Sequence, residues 1–122
     1  MLLAVLLVAV GGAVGALLRF GTYRVIDSQV FPWATFVVNV AGCFLASFLI
    51  FGFGAEMSYE ARSFLFVGVF GAFTTMSAMS LETVDLMAAG NYAYAALNVS
   101  ANVGLCLLGA IIGRILAVSA TI

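Results

Sequence analysis

Four apolar runs, approximately Leu2 to Ile26, Trp33 to Phe53, Ala61 to Met87 and Tyr92 to Ala117, take up nearly all of the 122 residues. Each is long enough to cross the hydrocarbon core of a bilayer, which takes roughly 20 mostly apolar residues in a helix. Only 7% of the residues are charged and 66% are hydrophobic, so the chain cannot assemble a water-facing surface and lipid is its solvent. The reading is an all-α integral membrane protein: a single membrane domain over residues 1–122, four transmembrane helices joined by short turns. Trp33, Tyr59, Tyr92 and Tyr94 stand at span starts, where amphipathic rings favour the interface, and Pro32 sits where the second helix begins. The first run continues through Gly15, Arg19 and Tyr23 without a short polar region and small-residue cleavage site, so it is expected to be retained and not removed as a signal peptide.

The arginines do not select an orientation. With both termini on one side, Arg19 and Arg24 fall toward one face of the membrane and Arg62 and Arg114 toward the other, whereas orientation is normally set by an excess of Lys and Arg in cytoplasmic loops. Insertion both ways follows as an expectation, the alternative being a single orientation fixed by loop details. Two oppositely inserted copies close naturally into an antiparallel, dual-topology homodimer. Size also asks for a partner, because four helices pack into a bundle whose middle is filled by side chains. Gly11 and Gly15 in the first run, and Gly109 and Gly113 in the fourth, have the spacing that lets helix backbones approach closely, within one subunit or at a dimer face.

The third run is predicted to be broken. From Gly68 it reads Gly-Val-Phe-Gly-Ala-Phe-Thr-Thr-Met-Ser-Ala-Met-Ser-Leu-Glu. Glycine is costly inside a helix, and consecutive threonines followed by alternating serines offer the backbone hydrogen bonds other than the helical ladder. An interruption near Gly71 to Thr75, within a disturbed stretch at 71–77, falls near the bilayer centre. Non-helical backbone is tolerated at that depth only when protein buries it or when it lines a cavity or ion site, and half-helix ends suit ions, carbonyls meeting cations and N-termini meeting anions. A glycine-kinked helix with hydroxyls bonded to their own turn is the structural alternative.

Other polar residues are few. Asn39 lies about 9 Å into the second span, and Asn98 and Asn102 share one face of the fourth with Ser100 nearby, as ligand-facing amides or as glue between helices. Arg19, Glu82 and Asp85 are charges within or near spans, functional by default but close enough to span ends to snorkel. Arg24, Asp27, Glu56, Glu60 and Arg62 read as loop charges. Cys43 and Cys106 read as small packing residues and not as a disulfide or metal site. With no histidine, no glycine-flanked nucleophile elbow and acids only at helix ends, an enzyme is not expected, and neither is a nucleic-acid partner.

Taken jointly, these motifs resemble the small fluoride channels of the Fluc or CrcB family. The first helix carries Gly11, Gly12, Gly15, Ala16 and Arg19, the second Thr35, Asn39 and Gly42, and the third Gly71, Thr74, Thr75, Ser77, Ser80 and Glu82. The resemblance implies a dual-topology homodimer in the cytoplasmic (inner) membrane, with two antiparallel pores giving passive fluoride export. It also implies a structural sodium ion at the dimer centre, held by the backbone carbonyls of Gly71 and Thr74. By the same resemblance Asn39 is a pore hydrogen-bond donor, Arg19 an anion-attracting vestibule residue, Thr35 part of the pathway, and Ser77 and Ser80 the lining of a polar track. Met76 and Met79 stand where the family has two phenylalanines, Ala78 replaces a threonine between them, and Ala34 replaces a glycine before Thr35. Methionine is flexible and polarizable and its S-methyl hydrogens are slightly positive, so it can fill the same space and touch the ion. The competing reading is a proton-coupled exporter of the small multidrug resistance type, which needs a buried carboxylate in the first helix; here no acid precedes Asp27.

Overall fold

A computed structural model describes residues 1–120, and among these every regular element is helical. The first span is α1 (Leu2–Val25) and the second α2 (Trp33–Phe53), extended by a 3-10 turn, Gly54–Glu56. The third is assembled from α3 (Tyr59–Arg62), a π-helical stretch (Ser63–Val69), α4 (Phe70–Phe73) and α5 (Met76–Ala88). The fourth is α6 (Tyr92–Ala120). Four helices are therefore long and apolar enough to cross a membrane, and large side chains such as Leu17, Phe20, Leu107 and Ile111 face outward along them. Lipid, which is as apolar as leucine, can cover such a surface where water cannot.

Local chemistry sets the boundaries. The Ser28 hydroxyl accepts from the Ala34 amide at 3.0 Å at the start of α2, and Ser58 accepts from Ala61 at 3.1 Å, starting the third span at Tyr59, two residues before the apolar run suggests. After α5 the amide of Asn91 reaches the Leu86 carbonyl at 2.8 Å and that of Gly90 reaches Met87 at 3.0 Å, the paired bonds of a Schellman turn. Gly90 adopts the left-handed φ of 82° this turn requires.

The sequence leaves open whether the paired glycines pack within one subunit or between two, and the fold uses both pairs internally. A Cβ built on Gly15 would lie 2.1 Å from the Val69 carbonyl oxygen and one on Gly11 2.5 Å from that of Phe64, so α1 lies directly on the backbone of the third span. A Cβ on Gly113 would meet the Phe44 carbonyl at 2.6 Å, placing α6 equally close to α2. The π-helical stretch faces the α1 glycines. Such a widening re-aims the residues after it, and here it seats Gly68 against Gly11.

Candidate functional site

The third span stops being helical at Thr74 and Thr75, both extended (φ/ψ −86°/153° and −152°/113°), while Gly71 remains inside the helical turn of α4. What the backbone loses there is replaced by named groups. In an unbroken helix the Thr75 amide would go to the Gly71 carbonyl; instead it donates to Asn39 Oδ1 at 2.8 Å. The Ala78 amide would go to Thr74; instead it donates to the Thr75 hydroxyl at 3.1 Å, which caps α5. Gly71 and Thr74 are thus the first and last of four successive carbonyls whose helical donors have been taken away. Gly71 is exposed and Thr74 half-buried in the single chain.

Asn39 also holds the carbonyl of the same residue, Thr75. Its Nδ2 donates to the Thr75 carbonyl at 3.2 Å and to Asn102 Oδ1 at 3.0 Å, committing both amide protons. A directed relay continues from there. Asn102 Nδ2 donates to the Asn98 carbonyl and side chain at 2.8 and 2.9 Å, and Asn98 Nδ2 to Thr83 Oγ1 at 3.0 Å and the Met79 carbonyl at 3.4 Å. Asn39, Asn98 and Asn102 are all buried, and the relay ties α2, α6 and α5 around the break. Asn98 and Asn102 therefore join helices together, one of the two roles their spacing permits.

One helical turn nearer the membrane surface, Thr35 is 2% exposed and forms a second chain. Its hydroxyl donates to Glu82 Oε1 at 2.5 Å and so accepts from the Tyr23 hydroxyl at 2.6 Å. Thr35, Glu82 and Tyr23 line a cavity of about 830 Å³ between the ends of α1, α2 and α5, together with Arg24, Asp27 and Asp85. The cavity's cation is thus Arg24, which sequence alone reads as a loop charge. Arg19 is half-buried one turn deeper, its Nε on the Ala72 carbonyl at 3.1 Å, at the C-terminal end of the half-helix.

α5 restarts after the break and sends the remaining residues two ways. Met79 is 7% exposed, inside the bundle, whereas Met76 is 75% exposed on an outer face shared with Ser77 and Ser80. The fold of one chain thus gathers Thr35, Asn39, Thr75 and Glu82 but leaves Met76, Ser77 and Ser80 facing outward. Arg24 and Tyr23 would be legible from sequence only as residues near the end of a span; nothing in their spacing marks a cavity.

A family model described as "CrcB-like protein, Camphor Resistance (CrcB)" matches residues 6–114. The chain is 40% identical over 119 residues to the "Fluoride-specific ion channel FluC" of Aeromonas salmonicida, covering 93% of this chain and 95% of that one. Over 118 residues it is 39% identical to the protein so named from a Sulfurihydrogenibium species, covering 92% and 94%. The protein so named from Thermus thermophilus is 45% identical over 89 residues, covering 70% and 71%.

Proposed function

The chain belongs to the CrcB-like family, whose curated relatives are named as ion channels and not enzymes, and on that premise we propose that it is a passive fluoride channel of the cytoplasmic membrane. Its working form is an antiparallel, dual-topology homodimer with two pores and a sodium ion at its centre. The observation that carries this reading is the pair of carbonyls at Gly71 and Thr74, stripped of their helical donors at mid-membrane. A second, inverted copy would double them into a ring of hard oxygen donors, the chemistry a small hard cation takes. Bound there, sodium would offset the cost of negative charge at the membrane midplane.

Fluoride is small and strongly hydrated, so it crosses only where donors replace its water in steps, each weak enough to let go. The outward hydroxyls of Ser77 and Ser80 can supply such donors, and the first amides of α5 point their positive helix end at the same depth. Asn39 serves the ion by exchanging its bond to Asn102 for one to fluoride, while keeping the break in place through Thr75. The outward Met76 presents its S-methyl group to the pathway and Met79 packs behind it. Arg19 raises the local anion concentration. Net flow is outward, because hydrogen fluoride enters from acid surroundings as a neutral molecule and ionises inside, where exit of the anion spares cytoplasmic enzymes.

Purified protein in liposomes tests the reading. Fluoride should leave down its own gradient with no pH gradient imposed, while chloride stays at background. Fluoride efflux that requires a proton gradient would overturn it. Terminal tags should be reachable from both faces of the membrane; labelling from one face alone would sink the dual topology.

A further inference from the structure

Cys43 and Cys106 take no part in the site described above, yet the packing of α2 on α6 sets them face to face. The helices run parallel in a register fixed by two hydrogen bonds, Asn39 to Asn102 at 3.0 Å and Ser47 Oγ to the Ala110 carbonyl at 2.5 Å, with the same sequence separation of 63 residues. Midway between them, one helical turn from each, that offset puts Cys43 opposite Cys106. Both residues are half-buried, and the register brings their side chains toward one another.

A disulfide needs Cα atoms within about 7 Å and Cβ atoms aimed at one another. Helices in backbone contact at Gly113, with the two cysteines set opposite each other by the register, bring the pair within reach of that demand. The cysteines lie near the middle of their spans, so hydrocarbon surrounds them. Apolar surroundings suppress the thiolate that ordinary exchange requires, and charged aqueous oxidants do not dissolve there. A neutral oxidant that partitions into lipid, a quinone, does.

We propose that Cys43 and Cys106 are an intrachain dithiol that lipid-soluble quinones oxidise to a disulfide, stapling α2 to α6 at mid-membrane. Both S–H bonds break and one S–S bond forms. Two electrons and two protons pass to the quinone, which leaves as hydroquinone. The staple lies one turn from the Asn39–Asn102 bond and so fixes the register on which the amide relay depends. The inference is independent of which ion the protein conducts.

The test treats the reconstituted protein with duroquinone, whose fully methylated ring has no position open to thiol addition. Samples are then denatured, reacted with N-ethylmaleimide and weighed intact. Alkylated thiols should fall from two per chain to none, the mass should lie two hydrogens below that of the unalkylated dithiol chain, and the chain should still run as a monomer on a non-reducing gel. Cys43→Ser and Cys106→Ser should each keep their single alkylatable thiol under the same treatment. Two alkylated thiols in the treated wild type would overturn the proposal, as would a cross-link between chains or loss of the remaining thiol in either variant. Oxidised glutathione should leave both thiols free, and closure by it would overturn the lipid-phase route. The wild-type measurement decides the matter even if a variant fails to insert.

Discussion

Asn39 grips Thr75 by both ends of its backbone, accepting from the amide at 2.8 Å and donating to the carbonyl at 3.2 Å. One side chain thus takes up the amide that the break frees and anchors the carbonyl of the same residue, which holds the interruption of the third span in place. Every buried side-chain polar atom among the described residues has a partner. Asn39 is therefore a clamp that shapes the interruption of the third span.

Asn39→Ala is therefore expected to affect stability as well as flux. It leaves the Thr75 amide and the side-chain Oδ1 of Asn102 without these partners, at about 1–3 kcal/mol for a buried group. Thermal unfolding in detergent should show a lower midpoint, and liposome efflux should slow. An unchanged midpoint with slowed efflux would mean that Asn39 acts on the ion alone.

Gly15→Ala and Gly12→Ala form a matched pair on α1. An added methyl at Gly15 collides with the Val69 carbonyl oxygen at 2.1 Å, and backbone cannot step aside as a flexible side chain can, whereas Gly12 has nothing within 4 Å. The first substitution should cost about 1–3 kcal/mol through overpacking, and the second should be neutral or gain about 0.5–1 kcal/mol from helix propensity. Comparable midpoints for the two variants would contradict the close seating of α1.

The spans were legible because hydropathy over some 20 residues integrates a strong signal, and the break because Thr74 and Thr75 are adjacent β-branched hydroxyl residues beside glycines. The π-helical stretch Ser63–Val69 was not, since a one-residue change of ladder leaves no mark in composition. The opposite facing of Met76 and Met79 follows from where α5 restarts after the break, and so needs the coordinates of Thr75. Arg24 reads as a loop charge because sequence shows how far a residue lies from a span end, not which ends converge on a cavity.

That opposite facing predicts unequal responses to phenylalanine. Met76→Phe enlarges a side chain that is 75% exposed in the chain and should preserve fluoride efflux. Met79→Phe forces a ring into a site that is 7% exposed, beside the Asn98 relay, at about 1–3 kcal/mol. Efflux and unfolding midpoints of the two single variants separate these outcomes; equal tolerance would mean that α5 is free to rotate.

Thr35→Val keeps the shape of the side chain and removes its hydroxyl, cutting the link from Tyr23 to Glu82. Glu82 then loses the donor that holds its carboxylate beside the second span. Fluoride efflux should fall about tenfold, the equivalent of roughly 1.4 kcal/mol, while reconstitution yield stays normal. Full efflux would show that the carboxylate's position is immaterial to conduction.

Replacing sodium addresses the released carbonyls directly. Gly71 and Thr74 offer backbone oxygens, which no side-chain substitution removes, so the cation and not the protein must be varied. If those carbonyls hold a sodium ion between two copies, exchange into a bulky organic cation such as N-methylglucamine should lower both the unfolding midpoint and the dimer fraction, and restoring sodium should recover both. A ligand that binds only the assembled form stabilises it in proportion to the logarithm of its concentration, so the midpoint should climb steadily across a sodium titration at constant ionic strength. A flat titration would mean that the released carbonyls accept from water or from other donors and hold no sodium ion.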